Sequence, residues 1–122
     1  MILLDTNILI EVFKGNTTVI DAIQEAGPEN LALSSVPAME LYYGALNRLE
    51  LQRIRKNLGA FQIIHISTMI SETATRLIER YAKSHNLQIP DALIAATALE
   101  THCELLKLNV RDFRFISGLS LR

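Results

Sequence analysis

The chain reads as an α/β protein with a short central parallel sheet of four to five strands flanked by helices, and three observations predict it. Ile2-Leu3-Leu4 is apolar without alternation, the pattern of a strand buried on both faces. That run stops at Asp5-Thr6-Asn7 and resumes with helical spacing at Ile8, Leu9, Ile10, Val12 and Phe13. Beyond it, strand-length apolar runs alternate with helix-length periodic ones, the order of a parallel sheet covered by helices on both faces.

Each element has its own signal. Asp5 or Thr6 is placed to cap the first helix. Gly15-Asn16 marks a turn, and Asn16 or Thr17 caps a helix to about Ala26 whose inner face is Val19, Ile20 and Ile23. Gly27-Pro28-Glu29-Asn30 breaks the chain before a second strand, Leu31 to Ser34. Ser35 and Pro37 open a helix carrying Ala38 through Leu46, and a charged helical piece follows from about Glu50 to Leu58, ended by Gly59. Phe61 to Ile64 is a third strand. From Ser71 to His85 the residues Ala74, Leu77, Ile78, Tyr81 and Ala82 recur at helical spacing, while Glu72, Glu79, Arg80 and Lys83 face away. Asp91 to Thr101 is apolar almost all the way round, so that helix is buried on most sides. Glu104 to Leu108 gives a fourth strand, Asn109 to Phe113 a turn, and Phe115-Ile116 a candidate fifth strand.

Composition narrows the class. At 122 residues, residues 1–122 read as one domain with a real core. An apolar share of 49% with 20% charged residues describes a soluble globular protein. No apolar run reaches the roughly 20 residues that span a bilayer, so no membrane role is expected. The N-terminus lacks a basic region and carries Asp5 within its apolar stretch, unlike a signal peptide. Cys103 stands alone, which excludes an internal disulfide and makes a reducing cytoplasm the expected location. One cysteine among scattered histidines offers no zinc spacing. A net charge of −1 means that any nucleic-acid footprint is local.

Four acidic residues carry the functional argument. Asp5 ends the first strand, Glu40 lies among apolar and small residues, Asp91 opens the buried helix after Pro90, and Asp112 follows the fourth strand three residues beyond Asn109. In an open parallel sheet, ligands bind beyond the carboxyl ends of the strands, where all four could meet. Taken singly they have ordinary duties: Asp5 as a helix cap, Asp91 as a complement to a helix dipole, Asp112 as a turn residue. Glu40 is harder to explain so, because Glu is almost never buried without a partner. Taken together they strain the ordinary readings. Carboxylates ~4 Å apart repel by about 4 kcal/mol at an effective dielectric of 20, so a pocket of them raises its pKa values or recruits a cation. An all-oxygen donor set selects Mg²⁺ or Mn²⁺, ions that keep waters and bind substrate phosphate. The implied chemistry is phosphodiester hydrolysis by an activated water.

At these residues the chain resembles the PIN-domain ribonucleases. Asp5 in LLDTNILI, Glu40 in AMELYYGA, Asp91 in IPDALIAATAL and Asp112 in NVRDF resemble that family's four acidic motifs, and the likeness runs from Met1 to about Ile116. The compact length is similar to that of the VapC toxins of type II toxin–antitoxin pairs. The resemblance implies a Mg²⁺- or Mn²⁺-dependent endoribonuclease, inhibited by a cognate antitoxin that reaches into the acidic pocket. It implies Asp5, Glu40 and Asp91 as metal-binding catalytic carboxylates, Asp112 completing the site directly or through water, and Thr6 and Asn109 as supporting groups. One departure stands out. Family members often have Thr or Ser two residues before the Asn of the last motif, where this chain has Lys107.

Partners follow from surface residues. Arg48, Arg53, Arg55 and Lys56 cluster in the charged helical piece, and Arg111 and Arg114 flank Asp112; the last two are expected on the RNA backbone near the cut. Tyr42, Tyr43, Leu46 and Leu49 read either as core or as the contact of a homodimer or antitoxin. Other classes fit less well. A receiver domain would show an acidic pair near its first strand, and a haloacid-dehalogenase-type phosphatase an Asp-x-Asp where this chain has Asp5-Thr6-Asn7. The non-enzymatic rival is a non-catalytic PIN-like module that binds RNA or a partner without cutting.

Overall fold

The computed structural model describes residues 1–122. Its strands are β1 (Ile2–Leu4), β2 (Leu31–Ser34), β3 (Gln62–Ile64) and β4 (Glu104–Leu106). Its helices are α1 (Thr6–Phe13), α2 (Thr17–Ala26), α3 (Ser35–Tyr43), α4 (Arg48–Leu58), α5 (Thr68–His85) and α6 (Ile89–Thr101). The sheet is wholly parallel, in the order β3-β2-β1-β4. The chain steps outward from β1 to β3, then crosses to the other side of β1 for β4. That reversal leaves a crevice between the carboxyl ends of β1 and β4, the place where such sheets bind ligands.

Alternation along the central strand separates two cores. Leu3 points to the face covered by α5 and α6, and packs with Ala32, Leu105 and the row Ala92, Ala95, Ala96 and Ala98 of α6. Ile2 and Leu4 point the other way, with Leu33 of β2, to Ile8, Leu9, Leu41, Ile54 and Leu58 from α1, α3 and α4. The alanines explain why α6 lies close against both the sheet and α5: no large side chain holds them apart. Thr73 of α5 donates to Glu100 of α6 at 2.6 Å, which fixes the two helices in register.

Caps set most helix boundaries. Asn16, Ser34, Asn47 and Ser67 accept backbone N–H groups at the starts of α2, α3, α4 and α5. Ser67 therefore starts α5 three residues earlier than its apolar spacing predicts. Asp5 stands at the cap of α1 yet makes no side-chain cap bond, so its carboxylate has other work.

The expected fifth strand is absent. Phe115 and Ile116 lie in a turn-rich segment as core plugs: Ile116 is buried, and Phe115 stacks on His85 with ring centroids 4.1 Å apart. An isolated parallel bridge, Leu105 to Leu121, replaces that strand. β4 also ends earlier than expected, at Leu106, and the residue that leaves it is Lys107. No helix is long and apolar enough to cross a membrane.

Candidate functional site

The parallel ladder places the first pair of charged groups. The N–H of Asp5 continues the β1–β4 pairing by donating to the Leu106 carbonyl at 3.1 Å, which sets Asp5 beside Lys107. The Lys107 ammonium lies 3.3 Å from Asp5 Oδ2, with the two side chains only 5% and 4% exposed. The same ammonium sits 4.7 Å from the centroid of the fully buried Phe113 ring. This is a buried, oriented ion pair, unlike the exposed pairs Lys14–Glu11 and Arg122–Glu104.

The remaining carboxylates come from three other elements. Glu40 projects from α3, the helix that begins directly after β2, and its Oε1 accepts the Thr6 hydroxyl at 2.9 Å. Contrary to its apolar neighbours in sequence, Glu40 is exposed, facing the cleft and not the core. Asp91 sits half-buried in the first turn of α6, behind Pro90. Asp112 lies on the 3-10 turn Val110–Asp112 beyond β4, a turn capped by Asn109 accepting the Arg111 N–H at 3.2 Å.

All four carboxylates, with Thr6 and Lys107, line one cleft of about 680 Å³. Asn109, Arg111 and Arg114 are exposed and stand outside that lining. The far wall is mixed: Lys14 from the end of α1, with Glu50, Arg53 and Asn57 from α4, around the apolar Ile10, Phe13, Leu41 and Ile54. Arg53 belongs to the basic cluster visible in the sequence, but nothing there says that α4 folds over the acidic residues. Lys14 carried no signal at all.

The charges act on one another across this space. Burial pushes the Asp91 carboxyl above its ordinary 3.8; Lys107 pulls it back, while Asp5, Glu40 and Asp112 add repulsion. No three of these side chains converge closely enough to ligate one ion directly. The donor set nevertheless fits a hydrated hard cation, since Mg²⁺ keeps several waters and takes one or two carboxylates. Excess negative charge, all-oxygen donors and a raised Asp91 are the conditions under which a divalent ion is favoured.

Comparison with known proteins bears on the family and the fold. The PIN domain family model matches residues 2–118. Ribonuclease VapC10 of Mycobacterium tuberculosis is 33% identical over 121 residues, covering 98% of this chain and 90% of the relative. A toxin–antitoxin complex from Klebsiella pneumoniae contains a chain 37% identical, with a TM-score of 0.82 over 98% of this chain and 95% of that one. DNA-bound VapBC from Salmonella typhimurium shares the fold, with a TM-score of 0.86 at 22% identity over 99% and 96% of the two chains.

Proposed function

The chain belongs to the PIN-domain family, and from that premise we propose that it is a VapC-type endoribonuclease, the toxin of a toxin–antitoxin pair. The observation that carries the reading is the gathering of Asp5, Glu40, Asp91 and Asp112, from four separate elements, on one cleft at the carboxyl ends of β1 and β4. The relatives named as ribonuclease VapC and the neighbour in a toxin–antitoxin complex support it.

One or two of these carboxylates would hold a hydrated Mg²⁺ or Mn²⁺ directly, the others through its waters. Such an ion, when bound, supplies water activation and offsets charge on phosphoryl oxygens. The chain's own groups do the rest. Thr6 donates to Glu40 Oε1 and keeps that carboxylate turned to the cleft. Lys107 fixes Asp5. Arg53 and Lys14 on the far wall offer charge-assisted contacts to RNA phosphates, with Arg111 and Arg114 on the backbone further out. Asn109 holds the turn that presents Asp112.

A cognate antitoxin would silence the protein by filling the cleft. Met39, Tyr43, Leu46 and Leu49 give it a surface for a protein partner, antitoxin or second copy, because they are 55%, 94%, 86% and 65% exposed. The work is placed in the cytoplasm.

The test is cleavage of a labelled total-RNA pool by protein freed of antitoxin, with Mn²⁺, Mg²⁺ or EDTA, and with Asp91→Asn alongside. Discrete cuts that need metal and fall at least 100-fold in the variant are expected. Equal cutting by both proteins would remove the site assignment. The Lys107–Asp5 pair, which already engages one carboxylate, favours a second reading as a non-catalytic PIN-like binding module. RNA binding with no cuts under any metal would decide for it.

A further inference from the structure

Of the three cations that line the cleft, Lys107 alone is buried, while Lys14 and Arg53 are exposed. Lys107 departs from the Thr or Ser of the resembling motif, and the structure shows where its charge goes. Its Nζ lies 3.3 Å from Asp5 Oδ2, and its side chain is 5% exposed, so the ammonium is no surface group that swings away. It is held from two sides, by the Asp5–Leu106 backbone bond that aligns the strand ends and by the face of Phe113. Asp5, the most buried of the four carboxylates, therefore has one of its two oxygens committed to this partner.

We propose that Lys107 is a positioning residue that takes the place of a second metal ion: it fixes Asp5 and limits the cleft to one divalent cation. The inference rests on the metal-dependent reading of the site above. Two-ion phosphodiester sites set their metals ~3.5–4 Å apart, and carboxylates with both oxygens free commonly bridge them. Here Asp5 Oδ2 already faces an ammonium, and any second dication bridged through it would lie close to a charge buried away from solvent. Lys107 lines the same cleft as Glu40, Asp91 and Asp112, so its charge faces the other three carboxylates as well. The one buried carboxylate of the four is thus paired before any metal arrives.

The experiment is direct Mn²⁺ binding, followed by isothermal titration calorimetry and by loss of the free Mn²⁺ electron-spin-resonance signal, on full-length protein freed of antitoxin. Wild type, Lys107→Gln, Lys107→Thr and Lys107→Arg are compared, with folding checked by circular dichroism. Gln keeps length and donors without charge, so it serves if Thr leaves the fold unstable. Wild type and Lys107→Arg should bind one Mn²⁺ per chain. The uncharged variants should bind a second ion, or the first at least tenfold more tightly, and regain on adding Mn²⁺ the thermal stability they lose without it. Identical isotherms for wild type and both uncharged variants would overturn the role of Lys107 and leave the metal site standing. Two ions in wild type would overturn it as well, and absence of Mn²⁺ binding in all four proteins would overturn it together with the metal-dependent reading.

Discussion

The two faces of the sheet are built to different rules. On the α5–α6 face, small alanines, an interhelical Thr73–Glu100 bond and buried Leu3, Leu105 and Phe113 close the layer completely. On the other face, α1, α3 and α4 pack on Ile2, Leu4 and Leu33, supply most of the cleft lining, to which α6 adds Asp91, and carry a row of exposed apolar side chains. The closed face contributes stability. The open one gathers like charges, which cost stability, and leaves apolar surface uncovered, which suits a partner. Function sits where the packing rules are relaxed.

Truncation should expose that contrast most strongly. Leu105→Ala, at a residue with no exposed surface on the closed face, should cost about 2–5 kcal/mol and lower Tm by ten degrees or more. Leu46→Ser on the open face should leave stability within about 0.5 kcal/mol. Thermal melts of the two variants check both numbers. Equal losses would mean that Leu46 is packed against something, most simply a second copy of the chain, and size-exclusion chromatography at micromolar concentration would then show a dimer.

The acidic pole gives the next effect, and its sign is opposite to that of carboxylates held by ion pairs. Because the fold raises the Asp91 pKa, the native state holds more protons than the unfolded chain just above pH 3.8. This group's contribution to stability is therefore lost as pH rises through its folded pKa. Without metal, Asp91→Asn should raise Tm at pH 7 and change it little at pH 4. Mn²⁺ should raise the Tm of wild type and have less effect on the variant. A variant less stable than wild type at pH 7 would mean that the attraction of Lys107 outweighs burial and repulsion.

Binding tests divide the positive charges between cleft and rim. On an Asp91→Asn background, Arg53→Gln with Lys14→Gln should weaken binding of different single-stranded RNAs alike. Each lost phosphate contact should lessen the slope of log K against log salt by about 0.7. Arg111→Gln with Arg114→Gln should do the same if the rim also touches backbone. In a cutting-competent protein only the cleft pair should slow cleavage at saturating RNA. Fluorescence anisotropy across a salt series reads the first effects, and single-turnover cleavage the last.

The closed face was largely legible in the sequence. The apolar run of β1, the all-round apolar pattern of α6 and the spacing of α5 each predict what is found, because burial leaves a period in the residues. The short segments were not so legible. Phe115-Ile116 reads as a strand because two apolar residues carry no period, and their real contacts are with His85, Tyr81 and the core. Tyr43, Leu46 and Leu49 fit either a core or a docking surface, since helical spacing says which residues share a face and not what covers it. The acidic positions were readable from strand ends and helix starts. For Lys107 the sequence allows a carboxylate or a phosphate as partner; that the partner is Asp5 was not legible, because it lies 102 residues away and only the β1–β4 pairing brings them together.

The smallest expected effect lies at the end of α6, on the closed face, where one local rule is broken. His102 caps that helix with φ of 55°, in the left-handed region that glycine adopts without strain. Its ring is exposed and makes no hydrogen bond in the fold, so little packing compensates the backbone cost. His102→Gly relieves the left-handed strain but also frees the unfolded chain, and the first effect should win by about 0.5–1 kcal/mol. A Tm rise of a few degrees with RNA cleavage unchanged is expected, since the site lies beyond the opposite ends of the strands. A fall in Tm would mean that the imidazole is held by Leu99, Glu104 or Leu119 across the small cavity they share. The closed face would then be tighter there than its exposed rim implies.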